Sequence, residues 1–257
     1  MSPVELVTRD HRPTPVATER ARSLAAHLEA EHAGRSPLDL VERVVHRLFP
    51  GRVALVSSFG ADSAVLLDLV AEVDRSVPVL FVDTEKLFGE TLRHRDRLVE
   101  RLGFTDVRTI SPDPVAVMAA DPLGVLWRAD PDACCRVRKV APLGRAVAGF
   151  DAWISGRKRF QAATRAAIPT FENDGPRIKI DPLAHWSAAD LAARAAARDL
   201  PAHPLVARGY PSIGCMPCTS PVAAGEDARA GRWRGIEKTE CGIHFGLSTD
   251  EENGSGI

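Results

Sequence analysis

The sequence predicts an α/β fold, a mostly parallel sheet flanked by helices, ending in an irregular C-terminal segment. Three observations carry that reading. Short apolar runs of strand length recur at 52–58, 79–82, 106–110 and 152–155. Helix-like stretches separate them, and strands alternating with helices imply parallel pairing. After residue 156 the alternation weakens, and from 201 onward proline and glycine are frequent.

The elements follow in order. Residues 1–17 hold three prolines and no clear period, so they read as a loose arm. A helix is expected over 18–33. A second opens at Ser36-Pro37, with serine as N-cap and proline in the first turn. It stops at Pro50-Gly51. The strand at 52–58 feeds the turn Ser57-Ser58-Phe59-Gly60-Ala61-Asp62-Ser63 and the apolar helix 64–73. Strand 79–82 is followed by a charged amphipathic helix at 87–102, then strand 106–110. A helix over 133–148 leads into strand 152–155. Beyond it come a basic loop at 156–159, a short strand at 177–180 and an alanine-rich helix, capped by Ser187, running to about Arg198. The expected organisation is an N-terminal arm with helices packed on the core at 1–50, a nucleotide-binding α/β domain at 51–235 and a mobile tail at 236–257.

The chain has 257 residues and is 45% hydrophobic, enough for a sizeable core. Only 5% of residues are aromatic, so aliphatic side chains and alanine must fill it. A net charge of −1 argues against a general nucleic-acid binder. No apolar run has membrane-spanning length, and the N-terminus lacks an apolar signal core. A cytoplasmic setting is expected, where cysteine clusters bind metal or do chemistry more often than they form disulfides.

Five cysteines stand out: a tandem pair, Cys134-Cys135, then Cys215-Met216-Pro217-Cys218, then Cys241. Four thiolates suit a zinc or iron–sulfur site, and one thiol left over is a candidate nucleophile. Neighbours on a helix diverge by about 100°, so the tandem pair faces one centre only if that centre lies close to the backbone. Spacing alone leaves iron–sulfur and zinc both open. The strand–turn–helix at 57–63 is a nucleotide-type turn, since backbone N–H groups at a helix N-terminus attract anions. An ordinary turn capped by Ser58 or Asp62 is the alternative.

That turn, Ser-Phe-Gly-x-Asp-Ser, resembles the loop of adenine-nucleotide α-hydrolases, which usually reads Ser-Gly-Gly-x-Asp-Ser. The resemblance implies an adenine-nucleotide α-hydrolase-like fold. Phe59 stands where that loop has glycine, so less room for pyrophosphate is expected, and a smaller nucleotide. Cys134-Cys135-x-x-Arg138-Lys139-Val140-x-Pro142-Leu143 is similar to the first half of the cluster motif of assimilatory adenylyl-sulfate reductases, in the PAPS/APS reductase family. Gly209-Tyr210-Pro211-Ser212-Ile213-Gly214-Cys-x-Pro-Cys-Thr219 resembles the second half. Lys179-Ile180-x-Pro182-Leu183-Ala184-His185-Trp186 and Gly231-Arg232-Trp233 match too, and Glu240-Cys241-Gly242-Ile243-His244 resembles the Glu-Cys-Gly-Leu-His box. The likeness spans 52–246.

The resemblance implies a [4Fe–4S] cluster on Cys134, Cys135, Cys215 and Cys218, with Cys241 as nucleophile. His244 is placed to lower the thiol pKa or to bind an anionic oxygen, and Glu240 should face away from the sulfur. An anionic substrate needs cations, and the resemblance assigns Lys139, Arg165, Arg229 and Arg232; Arg157 is a further candidate. Arg229 and Arg232 share a face if their stretch is helical. Ser58, Phe59, Gly60, Ser63 and Gly156 belong to the nucleotide loops. Val82 and Thr84 are expected to border the nucleoside, and Glu85 replaces the family's usual glycine. Lys158 and Ala162 also depart from the family's pattern.

The function implied is thioredoxin-dependent reduction of adenylyl sulfate to sulfite and AMP, in sulfate assimilation and cysteine biosynthesis. The thiol donor is thioredoxin or a glutaredoxin-like protein. No nucleic acid or membrane partner is expected, and a homo-oligomer is open. The alternatives are a 3′-phosphoadenylyl-sulfate reductase, an ATP pyrophosphatase, and a non-catalytic metal-binding module built on four cysteines.

Overall fold

The computed structural model describes residues 14–244 and Leu247. Six short strands form one sheet in the order β3-β2-β1-β4-β6-β5. They are β1 (Val53–Val56), β2 (Val79–Val82), β3 (Val107–Ile110), β4 (Ala152–Ile154), β5 (Phe171–Asp174) and β6 (Arg177–Ile180). All pairings are parallel except β5–β6. The central strands are buried on both faces, which is why they read as near-continuous apolar runs.

The helices fall where their caps and stops put them. Helix α1 (Pro15–His32) starts earlier than expected, because Thr14 caps it and Pro15 opens it. Helix α2 (Pro37–Arg43) is capped by Ser36 and runs on through a π turn, Val44–Leu48. Both helices share one core with the sheet: Ala25 and Leu28 of α1 and Leu40 and Val41 of α2 join Leu55, Phe81 and Ile180. Helix α3 (Ser63–Val73) is apolar nearly all round and buried, while α4 (Gly89–Leu102) ends at Gly103, whose φ of +72° is the left-handed stop glycine allows. Helices α5 (Pro114–Ala120) and α6 (Leu126–Ala129) were not foreseen; neither has a buried residue, so neither leaves a core-facing stripe to read. The expected helix at 133–148 is a run of three parts: α7 (Pro131–Cys135), a π turn over Arg136–Val140, and α8 (Ala141–Val147). Helix α9 (Ala188–Ala197) carries a Ser187–Asp190 capping box.

Strand β5 was also not foreseen. Residues 201–244 are irregular apart from two short 3-10 turns, and Leu247 returns to the sheet, buried with Trp153 and Leu143. Among the described residues no helix is long and apolar enough to cross a membrane.

Candidate active site

The strand order reverses direction between β1 and β4, so a crevice opens at their carboxyl ends. The loops leaving those two strands wall a cavity there. Ser58, Gly60 and Ser63 line it from β1, Gly156 from β4, and Val82 from the end of β2. Lys139, Arg165, Arg229, Arg232, Cys241 and His244 line it from the side and top. Residues from Ser58 to His244, nearly the whole length of the domain, therefore meet only through the sheet topology.

Two expected site residues lie elsewhere. Phe59 is fully buried, packed edge-on against Phe81 with ring centroids 5.4 Å apart, and does not line the cavity. Its backbone φ is +49°, a left-handed conformation that explains why glycine is common there. The expectation that its ring narrows the cavity is therefore wrong; the ring turns into the core. Thr84 is likewise buried away from the cavity. Its hydroxyl lies 3.2 Å from Cys215 Sγ, so it supports the cysteine loop rather than the nucleoside. Glu85 takes a left-handed φ of +61° and pairs with Arg138 Nη1 at 2.9 Å.

The loops are held by charge pairing. Asp62 does not cap α3; its Oδ2 accepts from Lys158 Nζ at 3.2 Å and from Gln161 Nε2 at 3.1 Å. Arg157 is not free for substrate. Its guanidinium donates to Asp181 Oδ2 from Nε at 3.1 Å and from Nη2 at 2.6 Å, and Glu172 lies against it. Lys179, which the sequence reading passed over as a site residue, sits buried with its ammonium 5.2 Å over the Trp153 ring and 3.3 Å from the His244 carbonyl. A lysine between Ile178 and Ile180 in a strand is expensive unless it is paired, and Glu172 at 3.2 Å supplies the partner.

Lys139 and Arg232 differ. Among the described residues neither has a carboxylate partner. Burial works against the charge on Lys139, but the nearby thiols of Cys241, Cys215 and Cys135 raise its pKa further than burial lowers it. Arg232 lies 4.4 Å over the Trp233 ring, and among the described residues its Nε has no hydrogen-bond partner. A Cβ at Gly214 would collide with its guanidinium, so that glycine makes room for the cation. Arg229 and Arg232 share the cavity through a tight turn, not a helix: the Arg232 N–H donates to the Arg229 carbonyl at 2.8 Å.

Cys241 reflects those charges. Burial pushes its thiol up; Lys139, Arg232 and the Ile243 N–H outweigh that and leave it below its ordinary value. A thiol held low in this way is a nucleophile in waiting. Glu240 is bonded to Arg165, although its charge still opposes ionisation of the thiol to a lesser degree. His244 corrects an expectation: burial first, then the charges of Lys179 and Arg157, drive its pKa well below the usual value. Its ring is neutral and stacked near Trp153 with an interplanar angle of 12°. It is not the cation that lowers the thiol.

All five cysteines are free. Burial pushes Cys134 and Cys135 to about 11, and neighbouring thiols add to the rise: Cys135, Cys215 and Cys218 act on Cys134. Thiols that crowd Cys134 in this way form, with it, a soft donor set that a cationic group would satisfy. Among the described residues no group of three or more His, Cys, Asp or Glu side chains stands at metal-holding spacing, so the fit rests on donor chemistry and proximity. The expected mobile tail lies largely outside the described residues.

Comparison with known proteins agrees with this geometry. A profile of the phosphoadenosine phosphosulfate reductase domain matches residues 52–221. Adenosine 5′-phosphosulfate reductase of Mesorhizobium japonicum is 55% identical over 89% of this chain and 90% of its own. The crystal structure of phosphoadenylyl-sulfate reductase from Candida auris superposes with a TM-score of 0.65 at 27% identity, covering 78% of this chain and 97% of that one. FMN adenylyltransferase of Candida glabrata shares the fold alone, with a TM-score of 0.50 at 15% identity over 88% of this chain and 84% of that one. The chain thus belongs to the phosphoadenosine phosphosulfate reductase family, the APS/PAPS reductases, enzymes that act on a sulfur group.

Proposed function

We propose that the protein reduces adenylyl sulfate to sulfite and AMP with electrons from thioredoxin, or from a glutaredoxin-like thiol donor. The observation that carries this is Cys241: a thiol with a lowered pKa, lining a nucleotide-type cavity beside Lys139 and Arg232, which have no carboxylate partners among the described residues. The Cys241 thiolate attacks the sulfate sulfur. The new S–S bond forms as the bond from sulfur to the phosphate oxygen breaks, and AMP leaves with that electron pair. A thioredoxin thiolate then attacks Cys241 Sγ, and sulfite departs from the thiosulfonate. The mixed disulfide resolves within thioredoxin, which is left oxidised by two electrons.

Lys139 and Arg232 serve two ends here, holding the thiol ionised and offsetting charge on the sulfo oxygens. The neutral His244 ring lies against Trp153 at the same cavity. Cys134, Cys135, Cys215 and Cys218 would hold a [4Fe–4S] cluster, which when bound supplies a structural and electrostatic centre beside Lys139. The setting is sulfate assimilation toward cysteine, in the cytoplasm, with a homo-oligomer open.

The test is sulfite release from adenylyl sulfate with reduced thioredoxin. Cys241→Ser should abolish it; thioredoxin-dependent turnover by that variant would sink the mechanism. Running 3′-phosphoadenylyl sulfate in parallel decides the second reading, which the profile name and the Candida auris structure favour. Iron and sulfide content of anaerobically purified protein decides the cluster.

A further inference from the structure

Glu240 occupies guanidinium edges of Arg165 and Arg229, two of the cations expected to bind the substrate anion. Its carboxylate accepts from Arg165 Nε at 2.6 Å and Nη2 at 2.8 Å, and from Arg229 Nη2 at 3.3 Å. Arg165 Nη1 is engaged as well, donating to Gln161 Oε1 at 2.6 Å. Arg229 Nη2 also donates to the Thr239 carbonyl at 2.6 Å. The Glu240 side chain is only 5% exposed. Burial pushes its carboxyl up, but the bond from Arg165 and the charges of Arg165, Arg229 and Arg232 outweigh that and keep it ionised.

Two nitrogens of one guanidinium on two oxygens of one carboxylate is the fork arrangement by which arginine also takes phosphate and sulfate. The same nitrogens cannot serve both anions. Arg165 and Glu240 are both buried, and a buried ion stripped of its partner is strongly destabilising, so neither leaves without a replacement. An incoming phosphosulfate is such a replacement for the arginines, and solvent for the carboxylate.

We propose that Glu240 is an internal competitor for the substrate's anion seat on Arg165 and Arg229. Binding of the nucleotide turns the carboxylate out of that seat. Because Cys241 is the next residue, the exchange also frees the backbone of the nucleophile, so substrate arrival and mobilisation of the thiol are one event. The inference rests on Arg165 and Arg229 being substrate-binding.

The test uses AMP as the probe on the anaerobically purified chain and on Glu240→Gln. Calorimetry gives the AMP affinity, and amide hydrogen exchange across 238–244 is read in the same samples. AMP should speed that exchange in the unmodified chain. In Glu240→Gln exchange should already be fast and change little with AMP, and AMP should bind about tenfold tighter, in the usual range for two linked equilibria. Removing a negative charge tightens anion binding by attraction alone, so the exchange readout is the decisive one, and it needs no variant. AMP that slows the exchange of 238–244 in the unmodified chain, or leaves it unchanged, overturns the proposal. Sulfite formation tests the underlying function separately, so a chain that turns over without the AMP-dependent exchange fails on this point alone.

Discussion

Arg157 and Lys158 line the same cavity as Lys139 and Arg232, and Lys179 lies against the His244 carbonyl, but of these, among the described residues, only Arg157, Lys158 and Lys179 form ion pairs. Arg157 has Asp181 and Glu172, Lys158 has Asp62, and Lys179 has Glu172 at 3.2 Å. Lys139 and Arg232 have thiols and an aromatic face instead. Full compensation locks a cation into the scaffold, because its partner would otherwise be a buried, unpaired charge. Cations with no bonded carboxylate remain available to whatever anion enters, and they act on the sulfur beside them.

That contrast is breakable, most forcefully at Arg157. Arg157→Met should cost about 3–5 kcal/mol of stability, because Asp181 is left buried without its charge partner. Chemical denaturation measures it, and a loss under about 1 kcal/mol would erase the distinction between the two groups. Lys139→Ala should behave oppositely. Its fold should hold, while sulfite formation at neutral pH drops on the order of 10²-fold, the usual loss for one charge-stabilising donor. The pH midpoint of Cys241 alkylation should rise with it, so activity recovers in part at higher pH. An unmoved midpoint would remove Lys139 from the account of the thiol.

The third group is buried and has no compensation at all. His94 lies 4.8 Å from His203, ring to ring, and among the described residues neither of its nitrogens has a hydrogen-bond partner. Burial, then the charges of His203 and Arg97, lower its pKa from 6.5 to about 4. The unfolded chain takes up this proton below about pH 6.5, the folded chain only below about 4. The stabilisation is thus complete above 6.5 and is lost as the pH falls toward 4, on the order of 2 kcal/mol. His94→Phe should flatten that acid limb in thermal melts run at about pH 7 and about pH 4.5. The smallest effect is a surface control remote from these charges: Ser187→Ala should cost about 1 kcal/mol by removing the cap of α9, with no change in turnover.

Much of the fold was legible because it is written locally. Ser36-Pro37 and Ser187 announce helix starts, and Val79–Val82 has the composition of a covered strand. Strand β5, Phe-Glu-Asn-Asp, has no such signature. Three of its four residues are polar, and only pairing with β6 makes it a strand. Phe59 misled for the opposite reason: its position in the motif was right, but a positive φ rotates its side chain into the core. His244 was legible as a site residue and illegible as a neutral one, since the burial that keeps it so, and the charges that add to it, come from β6 and the loops around it.

The sequence by itself determined the chemistry on offer: five thiols in a four-plus-one pattern, a nucleotide-type turn and a set of basic residues, each readable within a few neighbours. Which cations are paired is settled by the fold. That depends on Asp62, Asp181, Glu172 and Glu240 meeting cations 7 to 96 residues away. Charge compensation acts through space at a few ångströms, so it cannot be read along the chain.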